Sequence, residues 1–283
     1  MTDPASGGAS SDVCYRHPNR QSFVLCQRCG RTICADCQTP AAVGFHCPEC
    51  MRESRKTAPR TKPAVITALR PGSSAPVVTW TLIAICIVVY LAQIFSGGAV
   101  TNALFYHPAL TESQPWRMIT SLFVHSPSSF IHILFNMFSL FVIGPILELA
   151  IGRWRFIALY LLSGFGGSVA VLLLAPTSGV LGASGAIFGL LGAFFVIQRS
   201  LGGRNMQIVF VIVINLVLGF IIPNVSWQAH LGGLIVGGIV AFVFLRTRAI
   251  RKQNEQRLLL FAVLAGLVVL TVVGVVMLQG RLV

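Results

Sequence analysis

The sequence predicts an all-α polytopic membrane protein of seven spans with a small cysteine-rich N-terminal domain. Three observations predict it. Of the 283 residues 55% are hydrophobic and only 10% are charged, against about 25% charged in an ordinary soluble domain, and the mean hydropathy is +0.79. Almost all of that apolar excess follows residue 76, in charge-poor runs each near the ~20 residues that cross ~30 Å of hydrocarbon. Seven of the eight cysteines crowd into residues 14–50.

Taken in chain order, residues 1–13 are polar and are expected to be disordered. Residues 14–50 break into four pairs at one spacing: Cys14/His17, Cys26/Cys29, Cys34/Cys37 and Cys47/Cys50. A two-residue gap lets both side chains of a turn reach one tetrahedral zinc. Eight ligands suffice for two closed, structural zinc sites, and such sites stabilise a segment too short for a core of its own. An odd number of cysteines argues against a disulfide framework. His46, beside Cys47, is an alternative ligand. Residues 51–76 are rich in proline, serine and basic side chains and read as a linker held near an anionic membrane surface.

The spans, 77–279 together, are roughly Val77–Phe95, Ser129–Leu147, Phe156–Ala175, Gly182–Gln198, Met206–Ile222, Ser226–Leu245 and Leu258–Leu278. The first 76 residues open without an apolar core, so no signal peptide is expected. The formal charge of +13 raises nucleic acid as a partner, but the charge alternates from loop to loop. Nineteen of the 21 basic residues fall on the side of the N-terminus. That asymmetry orients a membrane protein with its N-terminus cytoplasmic and its C-terminus outside, and no nucleic acid is expected.

Polar side chains at membrane depth are costly and call for a reason. Ser184 comes early in span 4, His230 early in span 6, and His132 and Asn136 early in span 2, so all four lie in the outer half of the bilayer. His132 and Asn136, four apart, share a helix face. Gly185 and Gly189, and Ala229, Gly233, Gly237 and Ala241, repeat every four residues, which lets spans 4 and 6 approach closely. A serine hydroxyl needs a base to become a nucleophile, and neutral His230 can take its proton and return it to a leaving amine. Asn136, His132 and the Ser184 amide are available to a developing oxyanion. No Asp or Glu lies in spans 4 or 6, so a Ser–His dyad is predicted. A transporter fits poorly, because the polar groups do not continue across the bilayer.

These motifs resemble the rhomboid intramembrane serine proteases over about residues 78–279. Gly182-Ala183-Ser184-Gly185 is similar to the family's G-x-S-G. Ala229-His230 with Gly233 and Gly237 is similar to A-H-x-x-G-x-x-x-G, His132 with Asn136 to H-x-x-x-N, and Trp116-Arg117 to the Trp-Arg pair of the first loop. The resemblance implies a six-helix core plus a C-terminal seventh span. It implies Ser184 as nucleophile, His230 as general base, His132 and Asn136 on the oxyanion side, no cofactor for catalysis, and substrates that are membrane-anchored proteins cut in or near a transmembrane segment. Phe188 stands where the family often has tyrosine stacked on the catalytic histidine. The short stretch Pro223–Trp227 is expected to cap the cavity. A non-catalytic, rhomboid-like membrane chaperone is the alternative, although such proteins are expected to lose the serine or histidine. The head resembles a B-box zinc finger, which implies interleaved pairs: Cys14, His17, Cys34 and Cys37 in one site and Cys26, Cys29, Cys47 and Cys50 in the other. Such a head would dock a cytoplasmic partner or regulate the enzyme.

Six further residues carry plainer expectations. His125 bonds to loop backbone, Trp116 anchors at the membrane interface, Arg117 pairs with lipid phosphate or loop carbonyls, Cys86 packs, and Glu148 meets Arg153 in a polar contact.

Overall fold

A computed structural model of the chain describes residues 12–41, 43–57, 75–202, 206–221 and 225–280. Residues 1–11, most of the linker and residues 223–224 of the expected cap lie outside the described residues. The chain divides into two compact units, Met1–Lys62 and Pro63–Val283.

In the first unit, β1 (Val13–Cys14) pairs antiparallel with β2 (His17–Gln21), and β3 (Thr39–Pro40) with β4 (Phe45–His46). Helix α1 (Pro48–Thr57) follows and carries Cys50 on its first turn. It extends into the stretch read as linker, helped by Glu49 near its N-terminus and ion pairs from Arg16 to Glu49 and Arg28 to Glu53. The buried set is six cysteines and Ile33. That is too little apolar surface to hold a domain this short, so its order depends on whatever links the cysteines.

The second unit contains α2 (Val77–Phe95), α3 (Ala99–Leu104), α4 (Arg117–Thr120), α5 (Phe130–Ile151), α6 (Arg153–Leu174), α7 (Ser184–Ser200), α8 (Met206–Ile221), α9 (Trp227–Arg246) and α10 (Gln253–Gln279). All seven expected spans are helices. Five are long and apolar enough to cross a membrane, whereas α7 has 17 residues and α8 has 16. Helix α7 is short because it starts at Ser184 itself, below a loop that runs in from Ala175.

Helix α9 packs most extensively on α7 and then on α6. A Cβ at Gly233 would run into the Gly185 carbonyl, and one at Gly237 into the backbone of Gly189. The four-residue stripes therefore bring two backbones into contact, where dispersion and weak polar contacts drive association in lipid. Helix α6 joins through its own small residues: Gly167 lies against the Ala229 carbonyl, Gly166 against Val236, and Ser163 against Gly189.

Glu148 does not contact Arg153. Its buried carboxylate accepts from the Val78 and Thr79 amides (3.0 and 2.7 Å) and the Thr79 hydroxyl (2.8 Å), capping α2. A helix N-terminus has free N–H groups and a positive end, and so attracts the carboxylate more than an exposed guanidinium does. Arg153 bonds instead to the Ala75 carbonyl at 3.3 Å. Helix α10 is held at its start, where Arg155 of α6 donates to Gln256 and Gln253.

Candidate active site

The segment between α6 and α7 is fixed by the loop that follows α2. Tyr106 and Val180 exchange backbone hydrogen bonds of 3.1 and 2.7 Å, and the Gly182 amide donates to the Ser121 carbonyl at 2.9 Å. Arg117 is buried and bonds to the carbonyls of Asn102 and Phe105, which braces that loop from inside. Gly182 has φ +121°, a conformation side-chain-bearing residues rarely adopt, and a Cβ there would sit 2.8 Å from His132 Nε2. Glycine at this position both permits the turn and makes room for the histidine.

The turn delivers Ser184 to the first position of α7, with Ala183 as the preceding cap residue. Ser184 Oγ lies 3.0 Å from His230 Nε2, inside the range a general base needs. His230 is fixed on α9, whose start is capped by Ser226 Oγ accepting from the Ala229 amide. The Phe188 ring, one turn along α7, stacks flat on His230 with centroids 4.1 Å apart and planes 9° apart. The stack survives without the phenol hydroxyl. Nδ1 of His230 is buried with no hydrogen-bond partner among the described residues, consistent with a dyad lacking a third carboxylate.

His132, on the first turn of α5, reaches the same place: its Nε2 and Ser184 Oγ both face the point where a Gly182 Cβ would stand. Asn136 lies one turn further along α5, buried, with Nδ2 donating to the His132 carbonyl at 2.8 Å and Oδ1 unpaired among the described residues. One amide hydrogen of Asn136 therefore remains for another acceptor. The first N–H groups of α7 have no carbonyl to bond within the helix and carry its positive end. The arrangement can hold a hydroxyl against a base beside several hydrogen-bond donors.

His125 departs from expectation. Its backbone is bonded, but both ring nitrogens are buried without a partner among the described residues, and the ring packs on His132 with centroids 5.4 Å apart. Trp116 is half exposed, as befits an interfacial anchor, and Cys86 is fully buried in packing. Two features escaped the sequence reading. Gln93 is one, a fully buried amide in α2. The other is the α6 run Ser163, Gly164, Gly166, Gly167, Ser168, whose small residues were a visible signal for a third packed helix.

In the first unit the eight sequence-predicted ligands form two clusters that could each hold a metal ion. Cys14, His17, Cys34 and Cys37 make one and Cys26, Cys29, Cys47 and Cys50 the other, with ligand atoms within 4.8 Å of one another in each. His46 is outside both. His17 Nδ1 lies 3.8, 3.4 and 3.5 Å from the sulfurs of Cys14, Cys34 and Cys37, and Cys29 and Cys47 sulfurs are 3.7 Å apart. Bonds of about 2.3 Å to sulfur and about 2.0 Å to nitrogen give tetrahedral edges of about 3.5–3.8 Å, so the ligand sets fit a tetrahedral ion. Burial raises the Cys14 thiol, but the backbone amides of Cys34, Arg16 and His17 more than offset it and hold it down at about 6, which favours the ligating thiolate.

Residues 112–247 match the Rhomboid domain family model. The chain is 35% identical over 201 residues to RHOMBOID-like protein 6, mitochondrial, of Arabidopsis thaliana, covering 62% of this chain and 64% of that protein. It is 33% identical over 207 residues to rhomboid protease GluP of Bacillus subtilis, covering 68% of this chain and 40% of GluP. It is 33% identical over 144 residues to the Bacillus subtilis rhomboid relative YdcA, covering 49% of this chain and 71% of YdcA. The chain thus spans less than two thirds of the length of the first two relatives. Together with the apolar helices, these matches make it a multi-pass membrane protein. The chain belongs to the rhomboid family.

Proposed function

We propose that the chain is an intramembrane serine endopeptidase that cuts membrane-anchored proteins in or near a transmembrane segment. The observation that carries this is the 3.0 Å contact between Ser184 Oγ and His230 Nε2, held by backbone-to-backbone packing of α7 and α9. The protease names of GluP and other relatives support it.

In this reading Ser184 Oγ attacks the scissile carbonyl as its proton passes to His230 Nε2. The negative charge on the former carbonyl oxygen is met by His132 Nε2–H, the free Asn136 amide hydrogen and the Ser184 N–H, at the positive end of α7. Collapse breaks the C–N bond, and the proton on Nε2 goes to the leaving amine. Water, deprotonated by the same nitrogen, then hydrolyses the acyl ester and returns the proton to Ser184. Phe188 keeps the imidazole plane fixed throughout. The basic-residue asymmetry supports an N-terminus in the cytoplasm and, with it, a site in the outer half of the bilayer.

Cys14, His17, Cys34 and Cys37 would hold one zinc ion and Cys26, Cys29, Cys47 and Cys50 a second, which would tie the head together with no ligand position open for chemistry and leave its exterior for a cytoplasmic partner. The enzyme reading is tested by cleavage of a reporter transmembrane substrate in proteoliposomes. Ser184→Ala and His230→Ala should each abolish cleavage at wild-type expression. Cleavage that persists in either variant would remove the dyad and favour a non-catalytic binding role.

A further inference from the structure

Helix α2 gives no residue to the dyad, yet it is fastened at its start to α5 and near its end to the loop that precedes α5. At its start Glu148 of α5 caps it. Near its other end Gln93, 1% exposed, grips the backbone of His125 from both sides. Gln93 Nε2 donates to the His125 carbonyl at 2.7 Å, and the His125 amide donates to Gln93 Oε1 at 3.0 Å. The His125 carbonyl can only accept and its amide can only donate, which fixes which end of the Gln93 amide is nitrogen, and the same Nε2 also donates to Thr101 Oγ1 at 2.8 Å. A buried amide with all these partners met is rigid, because leaving any of them unpaired is costly.

The next residue along the gripped backbone is Ser126, whose amide donates to His132 Nδ1 at 3.4 Å. A neutral imidazole that accepts at Nδ1 carries its proton on Nε2. That nitrogen is the one facing Gly182 and Ser184. The opposite tautomer would present a lone pair where an oxyanion needs a donor.

We propose that Gln93 is a positioning residue: by clamping the backbone at His125 it holds the Ser126 amide against His132 Nδ1 and so leaves the His132 Nε2–H as the donor toward the Ser184 site. The inference rests on the reading that His132 serves the oxyanion. Thr101 contributes only the third bond of the Gln93 amide and leaves the grip on His125 intact.

The test uses the full chain in nanodiscs with 15N-labelled histidine, His132 being assigned by its loss in His132→Ala. Wild type should show His132 neutral with the proton on Nε2, and a proton on Nδ1 would overturn the inference without any variant. Gln93→Met, which keeps the side-chain volume, should shift the His132 nitrogens toward a mixture of tautomers and lower kcat about tenfold with KM unchanged. Thr101→Val should leave the His132 shifts as in wild type. A fall in kcat with His132 unshifted would make Gln93 an ordinary packing residue, and no change in either would do the same. Full kcat in His132→Ala would instead sink the oxyanion reading and leave the tautomer result standing.

Discussion

Gly182→Ala tests how the turn before α7 serves the site. The wild-type residue has φ +121°, and forcing a residue with a Cβ into such a conformation costs about 1–3 kcal/mol. The new Cβ would also stand 2.8 Å from His132 Nε2 and 2.9 Å from its Cε1. An ordinary contact begins near 3.4 Å, so one partner must move by about half an ångström or more. Gly182 is pinned through its amide to Ser121. The His132 ring is pinned through Nδ1 to the Ser126 amide and backed by the His125 ring. The lateral escape of His132 Nε2 takes the donor off the oxyanion position, and losing one such donor lowers kcat by about 10²–10³. The expected result is a drop of about 100-fold in kcat for a reporter transmembrane substrate, a smaller change in KM, and a modestly lower melting temperature. A variant that keeps wild-type kcat while folded would refute the placement of His132 beside Gly182.

Three other outcomes follow from the same geometry. Phe188→Ala removes the ring stacked on His230; such pairs contribute about 0.5–1.5 kcal/mol, so kcat should fall by roughly 2- to 12-fold while Phe188→Tyr stays near wild type. Glu148→Ala strips the cap from α2 and leaves the Val78 and Thr79 amides buried; hydrogen bonds to a charged group contribute about 1.5–3 kcal/mol each, and differential scanning calorimetry should record a melting temperature lower by several degrees, whereas an unchanged value would show the cap to be idle. Metal analysis of the purified full chain should find two zinc per protein, falling to one when Cys34 and Cys37 are both replaced by Ala; less than one in the wild type would refute the eight-ligand reading.

The site was legible because it is written in short local patterns. G-x-S-G, the A-H pair and His132 with Asn136 each fall at the start of an apolar run, so depth alone brought them together before any distance was known. The four Cys/His pairs were legible for the same reason, since a turn fixes their spacing. What stayed hidden depends on contacts between distant segments. Glu148 reaches amides 70 residues earlier in the chain, and a lone carboxylate at a span end looks equally ready for a neighbouring arginine. Gln93 carries no periodic signal, and its partner is a loop backbone 32 residues away. The start of α7 at Ser184 rather than Gly182 was blurred because an apolar run does not reveal where its helix begins. The small-residue run of α6 is visible in the sequence, but small residues inside an apolar run do not say which neighbouring helix they meet.

The central claim is that Ser184 is a nucleophile made reactive by His230. Its most direct measurement is fluorophosphonate labelling of the full chain in detergent, with the adduct located by mass spectrometry. Wild type should carry a single phosphonyl group on Ser184, and His230→Ala should carry none under the same conditions. An unlabelled wild type, or equal labelling of Ser184 in His230→Ala, would contradict the account.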